Sequence, residues 1–420
     1  SLNAVCAQQA NSDNFYTAAV VEYSPAGGTA KIVNKTIAQN IMLNNLRAYA
    51  DIVANAQQKQ LQQYQQQQLS ILQNKQQHDD VSQASSPAIQ IFVFPEYGLY
   101  GANFLSSTRD NVLNYLEPIT VGLNPCVDFK DASLYPVQYG LSCLALKFNT
   151  PIVVDMGDVV YCNANSTNNG AACPSDGRFQ YNTMVAFGNT GVILAKYHKR
   201  NLYYEDKVFN SGTEESSPTP YFETNFGVTF GMFICFDIMF PDPQYKPLQQ
   251  NVKNFVYSSW WVNFPPIINA VQTQQGWSGF FKTNLLASNI GQSFRSSGSG
   301  IYSNGKALTY FFNPTSKAEQ RVLVAQLHKD PLNAVKLEVI DNTASTKQTL
   351  TKKASHERPL LVVVPFEVNN LAQAGELVRL TAVAGSLNCT GVISRKGQLV
   401  GNSTMYFAIF ATKGVLFDLF

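Results

Sequence analysis

The sequence predicts an α/β fold, with strands and helices alternating around a layered core and a site at the strand ends. Three stretches carry that prediction. Gly227–Pro243, GVTFGMFICFDIMFPDP, is an apolar, β-branched and aromatic run into Cys235, followed by an acid and a Pro-rich turn. That is the pattern of a buried strand ending at an elbow that presents a side chain to a cleft. Phe92–Gly101, FVFPEYGLYG, places Glu96 just after another buried strand, and Ala195–Glu205, AKYHKRNLYYE, places Lys199 in a third strand-to-loop segment. A thiol, a carboxylate and an ammonium, each at a strand end, supply a nucleophile, a base and an oxyanion partner.

The elements follow in chain order. Phe15–Tyr23 alternates and then runs apolar, so it is the first strand; Pro25 to Gly28 turns the chain. From Lys31, apolar residues at Ile37, Ile41, Leu46, Tyr49 and Val53 recur near the helical period. The helix pattern then dissolves into glutamine: twelve of the 21 residues from Gln57 to Gln77 are Gln, and Leu61, Tyr64, Leu69 and Leu72 can prolong the helix outward, so residues 57–85 are taken as a solvated, low-complexity insertion, with a partner-binding coiled segment as the alternative. Ile89–Phe94 is a strand. Leu113–Leu116 and Tyr139–Lys147 are helix pieces, and Pro151–Asp155 is a strand. Tyr181–Phe187 and Gly191–Tyr197 flank a Gly-Asn-Thr-Gly turn and form a hairpin. Val208–Glu223 is a mobile loop, Phe226–Phe236 the central strand and Phe255–Trp260 the next. Pro266–Asn289 is helical, and Gly298–Tyr302 opens a last hairpin.

Residues 1–335 thus form one large domain. A Lys/Thr/Ser-rich linker, Asp341–Arg358, leads into strands at Leu360–Val368, Val378–Val383, Thr390–Ser394 and Met405–Phe420, so residues 336–420 form a small β-rich domain.

Composition narrows the function. A net charge of +2 with only 14% charged residues leaves no electrostatic footprint for nucleic acid. No apolar run is long enough to span a bilayer, so a membrane anchor is not visible in this chain. Four scattered histidines without HExxH or CxxC give no metal-ligand set, and no P-loop, G-x-G-x-x-G or G-x-S-x-G is present, so no cofactor is expected. With Cys235 set aside as a free thiol, Cys6, Cys126, Cys143, Cys162, Cys173 and Cys389 make an even set for disulfides. Cys162 and Cys173 enclose an Asn/Gly/Ser-rich loop suited to such closure. N-x-S/T triplets occur at Asn34, Asn165, Asn388 and Asn402. Together with a start at Ser1 rather than Met, these features point to a secreted or endolysosomal glycoprotein whose signal peptide has been removed.

The three site stretches resemble the Glu, Lys and Cys motifs of the nitrilase superfamily, and more narrowly its biotinidase/vanin (pantetheinase) branch. NPC at Asn124–Cys126, LSC at Leu141–Cys143, CPSDGRFQYNT at Cys173–Thr183, SSWWVNFPPI at Ser258–Ile267 and GSGIY at Gly298–Tyr302 carry the narrower likeness. It covers residues 13–335 and fades in the C-terminal part. The resemblance implies a nitrilase-type α-β-β-α sandwich. It also implies that Cys235 is the nucleophile, Glu96 the base, Lys199 the oxyanion cation, the Phe236 backbone N–H a second oxyanion donor, and Glu205 a further glutamate that orients the site.

The activity so implied is hydrolysis of a small-molecule linear amide, with pantetheine as first choice of substrate and biocytin or another biotinamide as second. A catalytically silent nitrilase-fold assembly glycoprotein is the alternative from another class, and association of copies stays open. Asp237 is expected to order the elbow, and His198 to point away from Lys199 by strand alternation. Trp260, Trp261 and Trp277 belong either to the core or to the cleft.

Overall fold

A computed structural model describes residues 14–27, 34–74, 88–101, 104–163, 167–168, 171–264, 268–293 and 295–333. It also gives the backbone of the strands Val362–Glu367, Leu377–Ala384, Leu387–Ser394 and Tyr406–Ala411. The chain divides into two compact units, Ser1–Asn263 with Asn269–Leu337, and Phe264–Ile268 with Glu338–Phe420.

Besides the short antiparallel pair Thr167–Asn168 and Ala171–Ala172, the described residues of the first unit hold twelve strands in two six-stranded sheets. In chain order they are β1 (Phe15–Glu22), β2 (Ile91–Val93), β3 (Ile152–Tyr161), β4 (Arg178–Phe187), β5 (Ile193–His198) and β6 (Tyr221–Glu223). There follow β7 (Thr229–Ile234), β8 (Asn254–Ser259), β9 (Asn284–Asn289), β10 (Ser299–Ser303), β11 (Lys306–Phe311) and β12 (Arg321–His328). One sheet runs β12-β1-β2-β3-β4-β5 and the other β11-β10-β9-β8-β7-β6. Each has a parallel centre, β1-β2-β3 and β7-β8-β9, with antiparallel strands outside it. The central strands are buried along their length, as a sheet covered on both faces requires.

The sheets face each other, and hydrogen bonds cross the gap: the Ser258 hydroxyl donates to the Phe94 carbonyl and the Ser288 hydroxyl to the Val21 carbonyl. Helices cover the outer faces. Ala38, Met42, Leu46, Tyr49 and Val53 of the helix Lys35–Asn74, with Val137 and Leu141 of Pro136–Phe148, pack on the first sheet. On the second sheet, Trp277 of the helix Ala270–Phe281 lies 4.8 Å from Phe233 and 5.1 Å from Phe255 between ring centroids. The layers are therefore helix, sheet, sheet, helix.

The differences from expectation have local causes. The segment predicted as helix over Pro266–Asn289 is helical only from Ala270 to Phe281, because Lys282 adopts a left-handed conformation (φ 55°) and stops it. Asn284–Asn289 is then a central strand in parallel register with β8. The loop expected at Val208–Glu223 ends in the short strand β6, and Val208 and Phe209 are buried in the core. As the apolar residues Leu61, Tyr64, Leu69 and Leu72 allow, the helix continues through most of the glutamine stretch to Asn74, and Gln57 is structural: its side-chain amide donates to the Ile89 carbonyl (2.8 Å) and accepts from the Ile89 N–H (2.9 Å). Residues 75–85 of the proposed insertion lie outside the described residues.

Two disulfides, Cys126–Cys143 and Cys162–Cys173, are formed. Cys6 lies outside the described residues, and only backbone is described at Cys389. Asn34 is exposed just before the first helix, where its side chain accepts from the Ile37 N–H (2.9 Å); Asn165 and Asn402 lie outside the described residues and Asn388 is described as strand backbone. In the second unit, Val362–Glu367 pairs antiparallel with Tyr406–Ala411, and Leu377–Ala384 with Leu387–Ser394.

Parallel strands β7 and β8 meet at Gly231, where an added Cβ would stand 2.3 Å from the Phe255 ring. Gly231→Ala should therefore lower the urea unfolding midpoint, by about 1–3 kcal/mol of stability, the usual range for overpacking a core. An unchanged midpoint would contradict this close approach.

Candidate active site

Four strand ends deliver the site. Glu96 follows β2, Lys199 follows β5, Cys235 follows β7 and the Trp260 amide follows β8. Cys235 opens a short 3-10 turn, Cys235–Met239, and takes a left-handed backbone (φ 45°). That conformation costs a non-glycine residue on the order of 1 kcal/mol, and it is the sharp turn that lifts a side chain out of a strand.

Asp237 holds the elbow in this shape. Its carboxylate accepts from the Ile234 N–H, the Tyr197 hydroxyl, and both the backbone and side-chain N–H of Asn201, each at 2.9 Å. Burial pushes the Asp237 carboxyl up to about 6, while these bonds and Lys199 pull it back. The Tyr257 hydroxyl fastens the Cys235 carbonyl at 3.0 Å.

Glu96, Lys199 and Glu205 form one buried cluster, with 2% or less of each exposed. The Lys199 ammonium donates to Glu96 Oε1 at 2.7 Å and lies 2.5 Å from Glu205 Oε1. The Asn182 amide donates to Glu96 Oε1 at 2.8 Å, and the Trp260 N–H donates to Glu96 Oε2 at 2.7 Å. The Tyr97 hydroxyl donates to Glu205 and in turn accepts from the Asn182 amide. Glu96 is thus fixed from three directions. Cys235 is a buried free thiol within reach of the charges of Glu96 and Lys199.

Electrostatics follow from that packing. Burial opposes the Lys199 charge, yet the Glu96 carboxylate and the neighbouring acids hold its pKa above the ordinary value, so the ammonium is a permanent cation. Burial, and then the charge of Glu96, push the Cys235 thiol well above its usual range against the pull of Lys199. At rest Cys235 is therefore a thiol beside the Glu96 carboxylate, rather than a stored thiolate. Burial and the charge of Glu96 raise the Glu205 carboxyl as well.

The structure brings Glu96, Lys199, Cys235 and Glu205 together. Phe236 is the second residue of the 3-10 turn, whose first amides have no acceptor within the turn. His198 points to the other side of its strand, where it meets Asp158 at 2.8 Å. Of the tryptophans, Trp277 and Trp261 are buried, and Trp260 reaches the site through its backbone N–H. Sequence reasoning missed Asn182, the Tyr97 hydroxyl, the Trp260 amide and Asp155. Asn182 lies inside the CPSDGRFQYNT stretch and Tyr97 directly follows Glu96, so both sat within segments already singled out.

A four-layer α-β-β-α sandwich with this cluster at its strand ends defines a nitrilase-superfamily fold. The nitrilase-superfamily protein Nit3 of Saccharomyces cerevisiae superposes with a TM-score of 0.50 at 16% identity, over 77% of this chain and 96% of that one, a likeness of fold. The sequence model of the family described as carbon-nitrogen hydrolase matches residues 52–270, and the chain belongs to that family. It is 37% identical to pantetheinase of Bos taurus over 256 residues, which is 60% of this chain and 48% of that protein. It is 35% identical to biotinidase of Bos taurus over 257 residues, 60% and 47% of the two chains. The chain spans about half the length of the curated relatives it matches.

Because the thiol is raised by burial and by Glu96, alkylation of Cys235 by iodoacetamide should keep accelerating beyond pH 9, the ordinary thiol value. Glu96→Gln removes the nearby negative charge and should move that curve to lower pH. A curve unmoved in Glu96→Gln would contradict the coupling between the two groups.

Proposed function

We propose that the chain is an amidohydrolase that cleaves a linear secondary amide through a thioester on Cys235. The observation that carries this reading is the buried Lys199 ammonium held between Glu96 and Glu205 beside the only free thiol among the described residues. Glu96 takes the thiol proton as the sulfur attacks the amide carbonyl carbon. The oxyanion that forms is met by Lys199 and by the Phe236 N–H. Collapse of the adduct breaks the C–N bond, and Glu96 returns the proton to the leaving amine. Glu96 then deprotonates water, which attacks the thioester, releases the carboxylic acid and restores the thiol. Glu205 keeps Lys199 aligned through both halves.

Pantetheine, cleaved to pantothenate and cysteamine, is the proposed substrate. Likeness to pantetheinases supports it, and the nearly equal likeness to biotinidases makes a biotinamide such as biocytin the second choice. A silent scaffold is disfavoured on physical grounds. A buried ammonium and its carboxylates are costly to desolvate, and an apolar cluster would stabilise the same core at least as well. The two disulfides support residence in an oxidising compartment, secreted or endolysosomal.

The test compares release of cysteamine from pantetheine with release of lysine from biocytin by the purified chain. Cys235→Ala should lose at least about 1000-fold in kcat while keeping its urea midpoint, since a small side chain is replaced by a smaller one. A variant that retains most of the wild-type turnover would remove Cys235 from the mechanism.

A further inference from the structure

The acids of the site are unequally supported. Glu96 accepts three hydrogen bonds, from Lys199, Asn182 and Trp260, and Asp237 accepts four. Glu205 has the Tyr97 hydroxyl, the Asn182 amide at 3.4 Å, and Lys199 at ion-pair distance. Asp155, on β3, is 1% exposed and accepts one, from the Tyr97 N–H to Oδ1 at 2.9 Å. Its other oxygen, Oδ2, is buried with no hydrogen-bond partner among the described residues. An ionised carboxylate is acceptor-only and needs several donors or a cation when buried. The one nearby ammonium is already shared by Glu96 and Glu205. Asp155 has neither.

The single bond it does make is well placed. Tyr97 takes a left-handed backbone (φ 55°), an uncommon state for a bulky residue that its surroundings must hold. Its amide is tied to Asp155, its hydroxyl to Glu205, and the residue before it is Glu96. One turn thereby sets both carboxylates that clamp Lys199.

We propose that Asp155 is a positioning residue, held as a neutral carboxylic acid, that fixes the Glu96–Tyr97 turn without adding a second negative charge beside the base. This rests on the amidohydrolase reading. The groups facing Asp155 are Glu96 and Lys199 from the site, Tyr49 from the first helix and Tyr100 from the turn after Glu96. Burial, and then the charge of Glu96, push the Asp155 carboxyl well above the usual carboxylate range, against the pull of Lys199. When the pH is high enough to ionise Asp155, its charge competes with Glu96 for Lys199 and opposes the developing oxyanion. The rate then falls.

Asp155→Asn keeps the acceptor for the Tyr97 amide and removes the titrating proton, whereas Asp155→Ala removes both. The full chain labelled with carboxyl-13C aspartate should show, in the difference between wild type and Asp155→Asn, a resonance at the protonated position at pH 7. Asp155→Asn should retain kcat/KM within about threefold at pH 7 and carry its alkaline limb to higher pH by about half a unit or more, while Asp155→Ala loses at least about tenfold in kcat. An ionised resonance at pH 7, an unmoved alkaline limb, or an Asp155→Asn variant as impaired as Asp155→Ala would overturn the proposal. The resonance needs no substrate, so it judges Asp155 separately from the amidohydrolase reading.

Discussion

The ammonium of Lys199 is the constraint on which the rest of the site depends. A buried cation is tolerated only where acidic groups meet it, and here the carboxyl groups of Glu96 and Glu205 do so from two different segments. Each of those acids is then fixed in turn: Glu96 by Asn182 of β4 and the amide after β8, Glu205 by Tyr97. Contacts from both sheets therefore converge on one charge. Removing any of them would leave a buried polar group without its partner.

The elbow is the second constraint, and it is local. Cys235 and Tyr97 both occupy left-handed backbone conformations, and each turn is stapled by a buried acid, the first by Asp237 through the Ile234 N–H and the second by Asp155 through the Tyr97 N–H. The two acids differ in how many donors reach them. Asp237, with four, is supported as an anion; Asp155, with one, is not. The same residue type serves one turn as a charge and the other as a neutral acceptor, a difference set by surroundings alone.

Much of this was legible in the sequence. Buried parallel strands are apolar on both faces, so β1, β2, β7 and β8 announced themselves as runs, and residues at their ends were natural candidates for a site. Asn284–Asn289, NLLASN, did not, because its polar residues are buried: the Ser288 hydroxyl bonds to the Val21 carbonyl, 267 positions away, and the Asn284 amide to the His328 carbonyl, both on the other sheet. The strand Arg321–His328 went unread because it pairs with Phe15–Glu22 from the other end of the unit, and nothing local marks that pairing. Glu96, Lys199 and Cys235 could be named from motif order. Asn182, the Trp260 amide and Asp155 could not, since their roles exist only once folding gathers β3, β4 and β8 with the turn that follows β2.

The central claim is that Cys235 carries the acyl group. Intact-protein mass spectrometry after brief incubation with pantetheine or biocytin and an acid quench measures this most directly. The account predicts a mass gain equal to the acyl part of the substrate, localised to Cys235 by peptide mapping. Product formation from the same incubations with Cys235 unmodified, or with the acyl group on another residue, would contradict it.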